Sequence, residues 1–449
     1  MGSEYAGTVA TDRALEALQA LVRIPTVSLP DEAAMDATTF EELHAELTRQ
    51  FPLLHERLER HRIGVHGLLF HWVGTSDARP VVLMAHQDVV PVDESAPWQH
   101  PPFSAEIHDG AVWGRGTLDD KGALVGICAA VEGLLAGGFA PAQDVWLSFG
   151  AREEVLGVDA ELAVETLQSR GVTPWFVLDE GGAIAHDAFP GIDPPLGVIG
   201  VSEKGITTVE LVAEGRGGLA STPEPGGPTA RIARAVTRLE KRPLAPRLPE
   251  PTIRMFEQLA PYAPTGMSLL FRNAARLRPV LTQALLRSGP EAAALARTTM
   301  AVTTLEGSPA YNVIASRATA GVNLRVTVGD TVASVVEHIR RAIADDSIRV
   351  EVVEANEASP VSPSEGPAYE LLAETVAAVF PDAVVTPYVM MAATDARYFT
   401  GICPQVYRFT PFRMSRAQRE AIHSYDEHLG VQDFLAGVTW YRRLLEAIT

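Results

Sequence analysis

The sequence predicts an α/β fold in which a mainly parallel sheet is flanked by helices and carries a smaller inserted α+β domain. Two patterns support this prediction. Over roughly the first 200 residues, short apolar runs alternate with longer helical stretches, which is typical of parallel sheets with helices on both faces. From about Lys204 the order becomes strand, helix, strands, helix and strand, which indicates a second sheet.

The elements of the first part follow one another closely. The runs LLFHWVG, PVVLMAHQDVV, DVWLSFGA and WFVLDEGG predict strands, and DDKGALVGICAAVEGLLAGG and VDAELAVETLQSRG predict helices. An amphipathic helix near the N-terminus is expected to end before Pro25. Because chemistry in such sheets gathers at the carboxyl ends of strands, a site is expected there.

The inserted domain is predicted from about 205 to 357. TTVELVAEG, AVTTLEG, ATAGVNLRVTV and IRVEVVE predict its strands, and TARIARAVTRLEKR and VASVVEHIRRAIA its helices. A helical insert, roughly 250 to 298, is assigned to it, and ANEASPVSPSEGP predicts a linker out of it. The helices AYELLAETVAAVF and QDFLAGVTWYRRLLEAIT follow. The catalytic domain is therefore expected in two parts, 1–204 and 358–449.

Composition narrows the class of protein. The chain has 449 residues, 47% of them hydrophobic, and a formal net charge of −19. This negative charge argues against nucleic acid or an anionic membrane as a partner. No uncharged apolar run reaches the roughly 18 residues of a membrane span, and the N-terminus lacks a secretory pattern, so a cytoplasmic location is expected. Cys128 and Cys403 are expected to be buried free thiols.

Four segments that are predicted to follow strands carry acids or histidine. Taken alone, each has an ordinary interpretation as a surface pair, a helix cap, a solvated loop or a turn. Together they place many carboxylates at one edge of one sheet, and a pair of divalent metals supplies the missing counter-charge. Histidine with carboxylate ligands suits zinc. The candidates, with one histidine from near the C-terminus, are His86, Asp88, Asp119, Asp120, Glu153, Glu154, Asp179, Glu180 and His423.

Seven segments in order resemble a known family. They are VLMAHQDVVPV…W…PPFSAEIHDGAVWGRGTLDDKG, AREEVLG, LDEGG, VSEKG, YNVIASRATAGVNLRV, TDARYF and IHSYDEHL. The set is similar to the di-zinc amidohydrolases that include carboxypeptidase S, aminoacylase, acetylornithine deacetylase and succinyl-diaminopimelate desuccinylase. It is most similar to the carboxypeptidase S and N-fatty-acyl-amino-acid hydrolase branch, over residues from about 15 to 445. The resemblance implies zinc-dependent hydrolysis of an amide bond next to a free carboxylate, in peptides or N-acyl amino acids, with reverse condensation also open.

The resemblance also implies roles in a centre of two zinc ions, for which cobalt or manganese are substitutes. Asp88 matches the acid that orients His86. Glu153 matches the general base, which takes a proton from the attacking water and delivers it to the leaving amine. The implied ligands are His86 and Asp179 on one zinc, Glu154 and His423 on the other, and Asp119 as the bridge.

The inserted domain resembles the family's lid, which often also forms a dimer contact, so a homodimer is expected. Arg325 matches the arginine that grips the substrate's carboxylate, which suits a guanidinium fork. Asn312 matches a substrate-contacting asparagine. Thr394, Asp395 and Arg397 match a loop that shapes the substrate pocket. Without the resemblance, Arg325 would be taken for an ordinary arginine of a surface strand.

One position departs from the family pattern. The lid of most relatives carries a histidine that helps to hold the oxyanion of the tetrahedral intermediate, and Leu219 stands at that position here. Losing one oxyanion donor typically costs about 2.7–4 kcal/mol in the barrier. Two alternatives to the leading function stay open. One is an aminoacylase or deacetylase for a small acyl group, and the other, because of Leu219, is a weakly active protein that binds metal and a carboxylated ligand.

Overall fold

A computed structural model describes residues 2–448, with side chains from residue 12 onward, and it has the predicted fold class. The strands, numbered along the chain, are β1 (Glu59–Ile63), β2 (Gly67–Trp72), β3 (Val81–His86), β4 (Glu106–His108), β5 (Ala111–Trp113), β6 (Val145–Gly150), β7 (Phe176–Asp179), β8 (Ile184–Ala185), β9 (Leu196–Glu203), β10 (Gly205–Glu214), β11 (Gly218–Leu219), β12 (Thr299–Glu306), β13 (Val313–Ile314), β14 (Arg317–Val326), β15 (Ile348–Ala355), β16 (Val384–Met390), β17 (Val406–Arg408), β18 (Arg413–Met414) and β19 (His428–Gly430). The helices are α1 (Gly2–Val22), α2 (Ala37–Gln50), α3 (Pro52–Arg57), α4 (Lys121–Ala136), α5 (Asp159–Ser169), α6 (Pro228–Glu240), α7 (Glu250–Leu259), α8 (Thr265–Arg272), α9 (Arg278–Arg287), α10 (Pro290–Ala294), α11 (Val332–Ile343), α12 (Pro367–Val379), α13 (Arg416–Ala421) and α14 (Val431–Ala447).

The larger sheet has ten strands in the order β1-β2-β6-β3-β7-β17-β9-β8-β18, with β16 paired to β9. Its centre, β6-β3-β7-β17, is parallel. Within β3, Val81, Leu83 and Ala85 pack into one apolar core, while Val82 and Met84 pack into another. Because successive side chains of a strand point to opposite faces, an uninterrupted apolar strand must be covered on both sides. Helices α1, α4, α12 and α14 contribute to one core and α5 to the other.

A separate antiparallel sheet of four strands, in the order β12-β14-β10-β15, is built from segments between residues 205 and 355. Helices α6 and α11 pack on it around a core of its own, which includes Val209, Val322 and Ile339. The edge strand β12 is exposed along much of its length. A second sheet with its own core agrees with an inserted unit, whereas the exact boundaries 205 and 357 stay predictions.

The helical insert, whose assignment to the inserted domain stays a prediction, packs beside the larger sheet. It consists of α7 to α10, and its core joins Ile253 and Phe256 of α7 to Leu196 of β9. These helices therefore pack against the larger sheet, because their apolar faces meet β9 and β16 rather than the four-stranded sheet.

Two smaller expectations also have outcomes. Cys128 and Cys403 are buried free thiols, as predicted. Across the described part of the chain, helices long and apolar enough to span a membrane are absent.

Candidate active site

Two groups of three side chains meet at Asp119. His86 Nε2 lies 2.9 Å from Asp119 Oδ1 and 3.5 Å from Glu180 Oε1. His423 Nε2 lies 3.0 Å from Asp119 Oδ2 and 2.9 Å from Glu154 Oε2. In each group the potential ligand atoms lie within 4.8 Å of one another. One carboxylate shared by two such groups is the arrangement that a pair of bridged metal ions requires.

Asp88 joins the two strand ends that carry His86 and Glu154. The main-chain oxygen of Asp88 lies 3.0 Å from His86 Nδ1, and its Oδ1 lies 3.4 Å from the same atom. Its carboxylate also accepts the backbone N–H groups of Glu153, at 3.1 Å, and Glu154, at 3.2 Å. Since β3 and β6 are parallel neighbours, both segments leave the same edge of the sheet. This geometry agrees with the predicted orienting role of Asp88.

Glu153 and Glu154 occupy a short 3-10 turn, Glu153–Val155, that follows β6. The turn is followed by Gly157, where a Cβ atom would clash with Arg152. Glu154 points into the cluster, and its Oε1 is buried without a hydrogen-bond partner among the described residues. Burial, together with the nearby Glu180 carboxylate, holds the pKa of Glu153 well above its usual range. Glu154 thus lies among the potential metal ligands, whereas Glu153 lies outside both groups of ligands.

All four segments were expected to follow strands of the larger sheet. Asp119 does not follow such a strand. It precedes α4 in a loop that is held by Glu427, which the sequence analysis did not single out. Several donors on one buried carboxylate fix such a loop firmly. The signal was the segment IHSYDEHL, which contains Glu427 as well as the candidate ligand His423. The Glu427 carboxylate accepts the N–H groups of Gly116 at 3.0 Å, Leu118 at 2.8 Å and Asp119 at 3.2 Å, and Nη1 of Arg115 at 2.7 Å.

Two adjacent acids, Asp179 and Glu180, stand at the end of β7, and the ligand role that the resemblance implies for Asp179 stays a prediction. Asp179 is the last residue of β7 and Glu180 follows it. Neighbouring side chains of an extended chain point to opposite sides, so one of the two faces His86. In the structure that residue is Glu180, whereas Asp179 Oδ2 accepts the N–H of Ala396 at 2.8 Å. The structure therefore does not bring Asp179 into the cluster and offers Glu180 in its place.

The cluster contains more carboxyl groups than its two histidines can neutralise. Burial and the charge of Asp119 raise the pKa of Glu180 to about 8. Hydrogen bonds with Asp119 and Glu154 raise the pKa of His423 to about 10. Burial opposes the charged form of His86, but neighbouring carboxylates outweigh it and keep its pKa well above the usual value. These residues fit divalent cations, which would supply the missing charge, and imidazole with carboxylate donors suits zinc.

The cluster is closed at one end and open at the other. The His86 side chain is 2% exposed, whereas that of His423 is 52% exposed. His423 lies on the loop after α13 with a backbone φ of 61°. A substrate therefore has access to the cluster from the side of His423.

Thr394 and Asp395 belong to the interior of the protein near the histidine–carboxylate cluster and not to an open surface. Both are buried. The N–H of Thr394 donates to Glu203 Oε2 at 3.2 Å, and the same oxygen accepts Nε of Arg408 at 2.9 Å. Burial and the charge of Asp179 hold the pKa of Asp395 well above its usual range. These contacts connect the loop to β9 and β17, the strands beside β16 and β7.

Arg325 on β14 and Arg397 in the 3-10 helix Asp395–Gly401 are close enough to interact electrostatically. Arg325 is on β14, in register with Ile206 and Thr299 of the neighbouring strands. Burial lowers the pKa of Arg325, and the positive charge of Arg397 lowers it further. Nε and Nη2 of Arg397 are buried, and within residues 12–448 they have no hydrogen-bond partner. Two neighbouring guanidinium groups, one of them with unused donors, favour an anion such as a carboxylate.

Asn312 and Leu219 meet on the ribbon formed by β11 and β13. Leu219 pairs with Val313, and the N–H of Ala220 donates to the Asn312 main-chain oxygen at 3.2 Å. The Leu219 side chain is 69% exposed. An apolar side chain is thus presented to solvent at the position that matches the family's histidine.

A mainly parallel sheet with a paired histidine–carboxylate cluster at its edge defines a metallohydrolase. The profile of the peptidase family M20/M25/M40 matches residues 82–447, and the chain belongs to this family. The family makes it an enzyme that hydrolyses amide bonds.

Relatives support the same class. The chain is 34% identical over 443 residues to the human N-fatty-acyl-amino acid synthase/hydrolase PM20D1, covering 96% of this chain and 87% of the relative. It is 32% identical over 421 residues to the probable carboxypeptidase S-like 2 of Dictyostelium discoideum, covering 93% and 81%. Among solved structures, the M20 family metallo-carboxypeptidase Sso-CP2 from Sulfolobus solfataricus has the same fold, with a TM-score of 0.71, 18% identity and coverage of 97% and 99%.

Proposed function

We propose that this enzyme hydrolyses the amide bond next to a free carboxylate, in N-acyl amino acids or at the C-terminus of peptides, and that it uses two zinc ions. The observation that carries the proposal is the pair of residue groups that share Asp119. The names of the relatives, a carboxypeptidase S-like protein and an N-fatty-acyl-amino acid synthase/hydrolase, support both substrate classes. The second name also supports the reverse condensation.

The proposed metal ligands come from both ends of the chain. Asp119 would bridge the two ions, and one carboxylate of the neighbouring Asp179 and Glu180 completes the set. When bound, the metal pair would polarise the scissile carbonyl and acidify the attacking water. The remaining ligands are His86 on one ion and Glu154 and His423 on the other.

Glu153 is the proposed general base. It takes a proton from the attacking water and later delivers it to the nitrogen of the leaving amine. Burial raises the pKa of its carboxyl group, and a carboxyl group that binds a proton more readily suits a role in which it accepts a proton and later donates it. Asp88 holds the backbone of Glu153 and contacts the ring of His86. Asp88 therefore keeps Glu153, the proposed base, and His86, a proposed ligand, in fixed positions relative to each other.

Arg325 and Arg397 are the proposed carboxylate-binding residues. The unused donors of Arg397 and the positive charge of Arg325 beside it favour an anion, and Arg325 is on the four-stranded sheet whereas Arg397 is in the 3-10 helix Asp395–Gly401. A substrate carboxylate held by both would connect the four-stranded sheet to the loop beside β7. Binding of the carboxylate would then fix the position of the two arginines relative to the proposed metal centre. This would position the scissile bond.

A second candidate function rests on Leu219. Its exposed side chain offers no hydrogen bond to an oxyanion, so a protein of weak activity that binds a carboxylated ligand is the alternative. A small-acyl aminoacylase is the alternative within enzymes. The presence of Glu153 favours catalysis, because a binding protein has no use for a proton shuttle.

We also propose that residues 205–357 act as a lid and that two copies associate through it. The exposed edge strand β12 supports this, because unpaired strand edges readily pair with another chain. Light scattering tests the association. Replacing the exposed Leu305 of β12 by lysine (Leu305→Lys) should leave a monomer, since a charge on an edge strand opposes pairing with another chain, and an unchanged mass would contradict the proposal.

The function is tested with zinc-loaded protein and three substrates: a long-chain N-acyl amino acid, its N-acetyl counterpart and a dipeptide. Each is also offered with its carboxylate amidated. We expect turnover of at least one free acid, abolished by a chelator and restored by zinc. Zinc-loaded protein without turnover on any of them would favour the binding alternative.

The two glutamates provide matched variants. Glu153→Gln should retain two metal ions per chain and lose about 10²–10⁴-fold in kcat, the usual contribution of general acid–base catalysis. Glu154→Gln should lose one ion. Metal analysis beside a steady-state assay distinguishes them, and near-normal turnover of Glu153→Gln would refute the assignment of the base.

A further inference from the structure

A second group of metal-binding side chains lies outside the proposed catalytic centre. His100, Glu106 and His108 bring two imidazoles and a carboxylate together, with potential ligand atoms within 4.8 Å of one another. They belong to the small sheet β19-β5-β4 and the segment before it. None of them has a role in the proposed function.

The backbone explains how the three side chains meet. Glu106 and His108 are two residues apart on β4, so both point to the same face of the strand. Glu106 Oε2 lies 2.9 Å from His108 Nε2. The ring of His100 stacks on that of His108, with centroids 3.8 Å apart and planes 8° from parallel. The three potential ligand atoms therefore lie close together, and one of the two stacked rings must turn for both imidazoles to reach the same ion, because each lone pair lies in its ring plane.

Trp113 supports this face from the neighbouring strand. It is the register partner of Glu106 on β5, and its Nε1 donates to the main-chain oxygen of His108 at 3.2 Å. Its ring lies 4.8 Å from the His100 ring and stacks on His428 at 4.2 Å. The strands β4 and β5 are joined by Asp109–Gly110, both with positive φ, as a tight two-residue hairpin requires.

His100 is held in place by its neighbour. The backbone N–H and the Nε2 of Gln99 donate to Oδ1 and Oδ2 of Asp426, each at 2.8 Å. This double contact anchors the backbone of the segment before β4, so the reorganisation that binding an ion requires is confined to the side chains.

We propose that His100, Glu106 and His108 form a separate surface site for one transition-metal ion of the zinc class. Two imidazoles and one glutamate are a ligand set that zinc uses elsewhere with a fourth, open position. From zinc–ligand distances of about 2.0–2.2 Å, tetrahedral ligand atoms lie roughly 3.4 Å apart. The side chains of His108 and Glu106 are 42% and 55% exposed and are free to close the remaining distance.

The site is tested by calorimetric titration of Zn²⁺ into protein whose catalytic centre is already filled. We expect one further equivalent to bind, and His100→Ala and His108→Ala to weaken it by at least about tenfold. The matched control is His338→Ala, a surface histidine that faces the main-chain oxygen of Arg242, which should change nothing. Absence of a further equivalent up to about 1 mM Zn²⁺, or its persistence in both variants, would overturn the proposal.

A second measurement does not depend on the histidine variants. Cu²⁺ quenches nearby indoles and binds such ligands more tightly than Zn²⁺. Trp113 is one of six tryptophans. In zinc-filled protein, the first equivalent of Cu²⁺ should quench a component that Trp113→Phe removes. Equal quenching in the wild type and in Trp113→Phe would count against the site.

Discussion

The edge of the ten-stranded sheet and the adjoining four-stranded sheet contribute to the candidate site in different ways. At the edge, His86 and Asp119 are held by several short contacts and are almost closed to water. On the other side, Arg325 of the four-stranded sheet is half-buried, Leu219 of the β11–β13 ribbon is exposed, and Arg397 in the 3-10 helix Asp395–Gly401 has unused donors. The difference teaches that the side chains of the cluster are held by contacts within the fold, whereas the proposed recognition groups leave donors and surface for a ligand. The variants below test this division.

The largest effect is expected at the end of β7. If Glu180, which faces His86 in the structure, is the metal ligand, Glu180→Gln should lose one metal ion. Its kcat/KM should fall by about 10³-fold, a loss of several kcal/mol. Asp179→Asn should retain both ions, because its carboxylate contacts the Ala396 N–H. Metal analysis decides between them. The reverse pattern would return the ligand role to Asp179, as the resemblance implies.

The ten-stranded and the four-stranded sheet each contain an ion pair of the same length, so the two sheets can be compared directly. Glu203 and Arg408 are 2.9 Å apart and buried, and Glu214 and Arg349 are 2.9 Å apart and half-exposed. Removing one partner of a buried pair leaves an uncompensated charge, so Glu203→Gln should lower the free energy of unfolding by about 3–5 kcal/mol. Glu214→Gln should leave the urea midpoint almost unchanged, because water screens exposed pairs. Equal shifts would contradict the division.

A smaller effect is expected at Arg325. Arg325→Ala should lower kcat/KM by about 10²-fold, mainly through KM, as expected for a charged contact worth a few kcal/mol. Metal content should stay unchanged. The control is a substrate with an amidated carboxylate, for which wild type and variant should differ little. An equal loss of kcat/KM on both substrates would show that Arg325 does not bind the substrate carboxylate.

The smallest effect is expected at Leu219. Leu219→His should raise kcat by about tenfold, less than a fully positioned oxyanion donor provides. Leu219→Ala is the matched control and should give no gain. A rate that stays the same or falls in the histidine variant, measured on a substrate the wild type hydrolyses, would mean that this ribbon does not approach the reacting carbonyl.

The sequence was most informative where a residue type and its place on a strand carried the chemistry together. His86 and the two glutamates after β6 could be placed because each follows an apolar strand, and parallel strands end at one edge. The choice between Asp179 and Glu180 could not be made this way, since it depends on the direction in which the chain leaves β7. Glu427 was missed although it lies in the segment IHSYDEHL, because a carboxylate that binds backbone N–H groups has no spacing of its own that separates it from its neighbours.

The contacts of Glu427 also bear on when the enzyme becomes active. Its partner Arg115 is 312 residues earlier in the chain, and the loop it holds presents Asp119. A chain emerging from the ribosome will have completed most strands of both sheets before this carboxylate and His423 are made. Until then Asp119 has neither the support of Glu427 nor its contact with His423. The cluster can therefore be completed only after nearly the whole chain has been made.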